Sequence, residues 1–170
     1  MKILDDDGQE VAQGEVGEIC TRSESRYDGY YKDEVLTAET RRGDYLTVGD
    51  LGRIDAEGLL WFTGRKRDII KSGGINVYAP EIEEALASHP AIAEAHCIGL
   101  PDPRWTEAIC AVIVPAPDAK LTKAEVIAHA ESRLDRYKRP RRVVFMAAVP
   151  RNLTGRVLKT ELKETVLTLP

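Results

Sequence analysis

The densest run of chemically capable residues lies between Thr63 and Leu86. It opens with a charged cluster, Arg65, Lys66, Arg67 and Asp68, followed by the apolar pair Ile69-Ile70. Ser72-Gly73-Gly74 then forms a turn, and Ala79-Pro80-Glu81 opens a helix. The two glycines can take positive φ and let another molecule come close to the backbone. Pro80 suits the first helical position, and Glu81, Glu83 and Glu84 lie near the positive end of the helix dipole. A carboxylate, Asp50, follows Gly49 just before a strand. A second basic run is Tyr137-Lys138-Arg139-Pro140-Arg141-Arg142. The pattern is a basic strand, a tight Gly-Gly hairpin and a helix with an acidic first turn.

Composition limits what this chemistry serves. The chain has 170 residues, 43% hydrophobic and 31% charged, with a net charge of −4. That is an ordinary globular composition with enough chain for one core, or for a small domain plus a piece of another. The acidic balance argues against a general nucleic-acid binder while leaving room for a local basic patch. Cys20, Cys97 and Cys110 have no CxxC spacing and are odd in number, so they read as free thiols, Cys97 and Cys110 buried, and not as a disulfide or zinc set. His89, His96 and His129 are scattered and read as structural or surface residues, and no metal site is expected. No apolar run approaches a membrane span, and the first residues lack the apolar core of a signal peptide. A cytoplasmic setting is the expectation.

The elements that must position these residues change texture along the chain. Asp7-Gly8 reads as a turn between extended runs, with a strand over 17–21. Residues 26–45 are polar and tyrosine-rich, with at most one short helix near 33–40. The turn Asp55-Ala56-Glu57-Gly58 joins two halves of a hairpin over 50–63. From residue 67 the order is ββαββαβα: a helix over 80–89, strands over 92–99 and 107–114 joined by a loop at 100–103, and a helix to about 136 opened by a Thr122…Glu125 capping box. A strand over 143–146 and a helix over 157–169 follow, the helix with Leu158, Leu162, Val166 and Leu169 on one face. The expected fold class is α+β: a small sheet flanked by helices, preceded by a β-rich segment. Residues 1–66 form one part and 67–170 the other.

The motifs carry a specific likeness. Gly14-Glu15-Val16-Gly17-Glu18-Ile19, Gly29-Tyr30-Tyr31, Tyr45 through Gly52, Gly64 through Gly74, Ala79 through Glu83, Pro101-Asp102, Tyr137 through Pro140 and Pro150 through Gly155 stand in one order and spacing. In that order the chain resembles the C-terminal portion of the AMP-forming acyl-CoA synthetases, in the adenylating superfamily that also holds firefly luciferase and peptide-synthetase adenylation domains. The resemblance implies that 1–66 is the end of a large N-terminal, AMP-binding domain and 67–170 a whole small cap domain. It implies a ligase that makes an acyl-adenylate from ATP and a carboxylic acid, then passes the acyl group to coenzyme A. Mg2+ would accompany ATP, liganded outside this stretch. The phosphate loop and acid pocket of the family are not in the chain, so it is expected to be inactive without the large N-terminal domain, its main partner.

Residue by residue, the resemblance places Asp50 on both ribose hydroxyls, which suits a carboxylate with two acceptor oxygens. A turn aspartate capping local N–H groups is the alternative. Arg65 would reach the ribose and phosphate region, and a surface arginine is its alternative. Arg67 stands at the hinge position. Lys71, Ser72, Gly73 and Gly74 resemble the loop lining the pantetheine tunnel, with Glu81 fixing that loop or capping its helix. Residues 138–142 either meet the nucleotide part of coenzyme A or form a structural turn, which is preferred. Trp61 and Trp105 read as packing residues. At the family's catalytic lysine position stands Arg156, with Lys159 three residues on as a possible substitute. Arg keeps the charge but is longer and planar, so adenylation is the step in question. Two alternatives share the fold: a non-catalytic binding or regulatory module, and an adenylation domain that loads a carrier protein.

Overall fold

The computed structural model describes residues 1–25 and 27–169. The chain divides into two compact units, Met1–Arg67 and Asp68–Pro170.

Among the described residues, the first unit is one antiparallel sheet with a single short helix. Its elements are β1 (Lys2–Leu4), β2 (Gly17–Thr21), α1 (Glu34–Glu39), β3 (Arg41–Arg42), β4 (Tyr45–Ile54) and β5 (Leu60–Arg65). The order is β1-β2-β4-β3, and β5 pairs with β4 over Asp50–Ile54. The β4–β5 hairpin forms because Asp55 organises its own turn: Asp55 Oδ1 accepts from the amides of Glu57 and Leu59, and Gly58 takes φ 81°. The other expected turn also forms, closed by Asp5 and Gln9 and followed by a Leu4–Glu10 bridge, but β1 takes β2 as its main partner. Asp33 caps α1 through its side chain. Of the tyrosine-rich stretch 26–45, Arg26 lies outside the described residues.

The second unit follows the ββαββαβα order. It contains β6 (Ile69–Ser72), β7 (Ile75–Tyr78), α2 (Ala79–Ala87), β8 (Ile92–Asp102), β9 (Thr106–Pro115), α3 (Lys123–Glu131), β10 (Arg142–Phe145) and α4 (Lys159–Thr168). β9 is central, paired with β8 along its length, with β10 in parallel over Cys110–Ile113, and with β6 at Ser72–Thr106. Ile109 to Ile113 are each fully buried, as expected for a strand covered on both faces. Alternation assigns the faces. Ile109, Ala111 and Ile113 join Ile82, Leu86, Val126 and Ala130 of α2 and α3, whereas Cys110 and Val112 join Leu162 and Val166 of α4. One sheet thus separates two apolar layers.

Four boundaries differ from expectation by two residues or more. α2 ends at Ala87 and not at His89, closed by the Ser88 amide bonding to the Glu84 and Leu86 carbonyls. β8 runs through Asp102 and does not stop at Gly99; Pro101, with no N–H to give, is tolerated because β8 is an edge strand paired to β9 alone among the described residues. α3 ends at Glu131, where Ser132 closes it with bonds to Ala128 and Ala130, and Arg136–Lys138 forms a separate 3-10 turn. α4 starts at Lys159, because Val157 is taken by a bridge to Arg151. Leu158 and Leu169 consequently sit 36% and 38% exposed, leaving Leu162 and Val166 to bury the face.

Candidate functional site

In the first unit, a bulge presents Asp50. The β2–β4 register passes from Glu18–Leu51 to Cys20–Thr47, which leaves surplus β4 residues between them, and Gly49 there takes φ 77°. Such a bulge re-aims a side chain out of the pleat. Asp50 lies opposite Arg65 across β4 and β5, with Arg65 Nε 3.1 Å from Asp50 Oδ1. The charges are close, but the Nε–H does not point at the oxygen. Oδ1 is buried and, with the N–H aimed elsewhere, accepts no hydrogen bond among the described residues. Leaving such an acceptor empty costs about 1–3 kcal/mol. The structure brings Asp50 and Arg65 together as a half-satisfied pair.

The same unit buries a carboxylate that the sequence did not single out. Glu18 is 4% exposed and is held by Arg42 (3.0 Å), Thr47 (3.1 Å) and Lys66 (3.3 Å). Lys66 also reaches Asp6 at 2.6 Å. Arg67, exposed, follows in the 3-10 turn Lys66–Asp68.

In the second unit, Lys71 to Gly74 form the end of the β6–β7 hairpin. Gly73 and Gly74 take φ 62° and 80°, the paired positive values of a tight two-residue turn. A Cβ on Gly73 would lie 2.9 Å from the Trp105 ring, so this position is glycine for space as well as for φ. The Gly73 amide donates to the Trp105 carbonyl (2.8 Å), and the Lys71 amide to Glu107 Oε2 (2.9 Å). Ser72 Oγ is buried without a hydrogen-bond partner among the described residues. The Arg141 guanidinium lies 4.1 Å and that of Arg104 5.0 Å from the Trp105 ring centre. Trp105 therefore packs under the turn and also carries two cations. Glu81 stands in the first turn of α2 and pairs with Lys138.

Arg156 sits on a separate loop of this unit. Asn152 Oδ1 accepts from the amides of Thr154 and Arg156, and Gly155 takes φ 82°. Arg151 donates to the Gly155 carbonyl at 2.7 Å and to Glu94, which also pairs with His96 at 2.9 Å. The hydrogen bond from His96, helped by the charge of Arg151, holds the Glu94 carboxyl below its ordinary value. The Arg156 side chain is exposed, and among the described residues it has no hydrogen bond or ion pair. Lys159 differs: its ammonium is 2.9 Å from Glu83 and 3.3 Å from the Cys97 carbonyl, and Glu83 also accepts from the Cys97 amide. Lys159 pins α4 to α2 and β8, and taking over from Arg156 would require breaking that pair.

Sequence reasoning missed Glu18, Glu83, Glu94 and Glu107. Glu94 and His96 had a local signal, since alternate residues of a strand share a face. The partners of the others are far away in sequence. Cys20, Cys97 and Cys110 are free and buried, with burial pushing Cys110 up to about 11. Among the described residues, no group of three or more His, Cys, Asp or Glu is placed to hold a metal ion, and no helix is long and apolar enough to cross a membrane.

Known proteins resemble this chain over nearly its whole length. The family model described as AMP-binding enzyme C-terminal domain matches residues 81–156. Indoleacetate–CoA ligase of Aromatoleum aromaticum is 39% identical over 166 residues, which is 98% of this chain and 32% of that protein. The structure of ATP-bound MatB from Rhodopseudomonas palustris superposes with a TM-score of 0.91 at 32% identity, covering 98% of this chain and 34% of that one. That of o-succinylbenzoate CoA synthetase from Bacillus subtilis, in complex with the acyl-adenylate intermediate OSB-AMP, gives 0.88 at 32% identity, covering 96% and 33%. The chain spans about a third of the length of these relatives. It belongs to the AMP-forming adenylating enzymes, and corresponds to their C-terminal portion.

Proposed function

We propose that this chain is the C-terminal part of an acid–thiol ligase that makes acyl-CoA from a carboxylic acid, ATP and coenzyme A. In the first step the acid's carboxylate oxygen attacks the α-phosphorus of ATP, and pyrophosphate leaves with the electrons of the broken P–O bond. In the second, the coenzyme A thiolate attacks the acyl carbonyl, and AMP leaves. The observation that carries the reading is Asp50, a partly exposed carboxylate set opposite Arg65 across β4 and β5: its two acceptor oxygens suit two adjacent ribose hydroxyls. Arg65 supplies a cation next to it. The Arg156 guanidinium, without a partner among the described residues, is available to neutralise two anions that must meet. The Gly73-Gly74 turn leaves its backbone open to a thin pantetheine arm, since nothing lies within 4 Å of a Cβ built on Gly74. Arg67 takes the hinge position. Arylacetic, arylcarboxylic or fatty acids are the substrate class, by relation to ligases such as indoleacetate–CoA ligase.

Pyrophosphate exchange by the longer enzyme containing this chain tests the reading. Asp50→Ala is expected to raise the KM for ATP by about 10–100-fold, the equivalent of one or two lost hydrogen bonds to a charged group. An unchanged KM would remove Asp50 from the site. Arg156→Ala is expected to abolish exchange. With Arg156→Lys, a large gain means that arginine impairs adenylation, and no change means that it carries the step. Absence of exchange in the native protein and in Arg156→Lys would favour the non-catalytic module. The 170-residue chain alone is expected to form no thioester, and robust turnover by it would overturn the division of labour.

A further inference from the structure

The β6–β9 ladder stops after one pair, Ser72–Thr106. On one side of it, the Gly73 amide finds a backbone carbonyl, that of Trp105. On the other, the Lys71 amide has no strand carbonyl opposite, and the Glu107 carboxylate takes its place at 2.9 Å. A side chain here substitutes for a missing rung. Three features make room for it. Thr106 holds φ 66°, a left-handed value that is costly for a β-branched residue and turns the chain just before Glu107. Gly99 lies directly under the carboxylate: a Cβ there would come within 2.6 Å of Glu107 Cδ. Lys163 of α4 neutralises the other oxygen, Oε1, at 3.1 Å.

We infer that Glu107 is the positioning residue for the Lys71–Gly74 turn, fixing the backbone that meets the thiol arm of coenzyme A. The inference rests on the ligase reading above only for the identity of what the turn meets. Glu107 touches no substrate; it acts through the Lys71 amide. An ion pair whose carboxylate also accepts a backbone amide holds that amide more firmly than water does. Loss of the carboxylate frees one end of the turn, while the Gly73–Trp105 bond still holds the other.

Amide hydrogen exchange on the 170-residue chain reads this directly. In Glu107→Ala, exchange at Lys71 should accelerate by about tenfold or more, with Gly73 changing less than about threefold. Glu107→Gln keeps an accepting oxygen and should restore most of the protection. Gly99→Ala is an independent arm: it leaves the charge in place, pushes the carboxylate aside and should also loosen Lys71. It keeps the test available if Glu107→Ala folds poorly. In the longer enzyme, Glu107→Ala and Gly99→Ala should raise the KM for coenzyme A by about tenfold while pyrophosphate exchange stays within about twofold. Unchanged Lys71 exchange in both variants overturns the inference, as does a loosened amide with an unchanged coenzyme A KM, or equal loss in both half-reactions. If the native longer enzyme forms no thioester with any acid, the ligase reading fails, and the exchange data still decide whether Glu107 sets the turn.

Discussion

The two units solve the problem of burial differently. The second encloses its apolar residues on both faces of one sheet, with Ile82, Ile109, Ile113, Leu162 and Val166 all at 0% exposure. Among the described residues of the first unit, Ile3, Leu4, Cys20, Leu46 and Leu51 are the buried apolar set, while Leu60, Trp61 and Phe62 of β5 stand 41%, 51% and 60% exposed. Tyr31 and Val35 are 88% and 72% exposed, and α1 buries nothing. Consecutive strand residues point to opposite faces, so the exposure of all three leaves both faces of β5 open at residues 60–62 among the described residues of the first unit. Contiguous apolar exposure of this kind marks a surface built to be covered. The second unit encloses its apolar residues on both faces of a sheet, and the first leaves those at the start of β5 exposed.

Separating the units is the most severe test of that contrast. Residues 68–170 expressed alone should unfold in one cooperative transition by circular dichroism and retain amide protection in β9. Residues 1–67 alone should show no such transition. A cooperative first unit would erase the contrast. Next in size, Leu162→Ala should cost the 170-residue chain about 2–5 kcal/mol in urea titration, through lost burial and a cavity between α4 and the sheet. Phe62→Ser on the open strand should stay within about 0.5 kcal/mol. Comparable losses at the two positions would mean that β5 is packed after all. Smaller again, Thr122→Ala removes a cap whose side chain accepts from the Glu125 amide, and should cost about 1 kcal/mol. The smallest effect is one of pH. Glu94 is depressed in the fold below its reference value of 4.5, so its contribution is present above that value and lost as the pH falls through the folded value. The difference in thermal midpoint between native chain and Glu94→Gln should therefore shrink between pH 6 and pH 3, measured by circular dichroism, and a constant difference would refute the network.

Local chemistry was legible in the sequence, and distant chemistry was not. The Asp55 turn, the Thr122–Glu125 box and the Gly73-Gly74 turn each depend on residues within a few positions of one another, and each forms as read. The sequence puts the β8–β9 turn a few residues early, because Pro101 reads as a breaker until its strand is known to be an edge. Motif order nominates Asp50, Arg65, Lys71–Gly74 and Arg156 as site residues. What it could not convey is which of them are already engaged. Lys159 looks like a spare cation beside Arg156 until Glu83, 76 residues away, is found bound to it. The empty acceptor on Asp50 arises from the direction of an Arg65 N–H, which no residue pattern encodes. Glu107 meets Lys71 across 36 residues, and only the early end of a strand ladder gives it that task.

The buried thiols have a practical corollary. All three native cysteines are enclosed, and burial pushes the Cys110 thiol up to about 11, away from the reactive thiolate form. Alkylating labels should leave the folded chain untouched without any cysteine being removed first. Leu153, fully exposed on the loop that carries Arg156, can then be replaced by cysteine to give a single attachment point for a fluorophore or spin label. The same native sequence thereby supplies a silent background against which the movements of that loop can be timed.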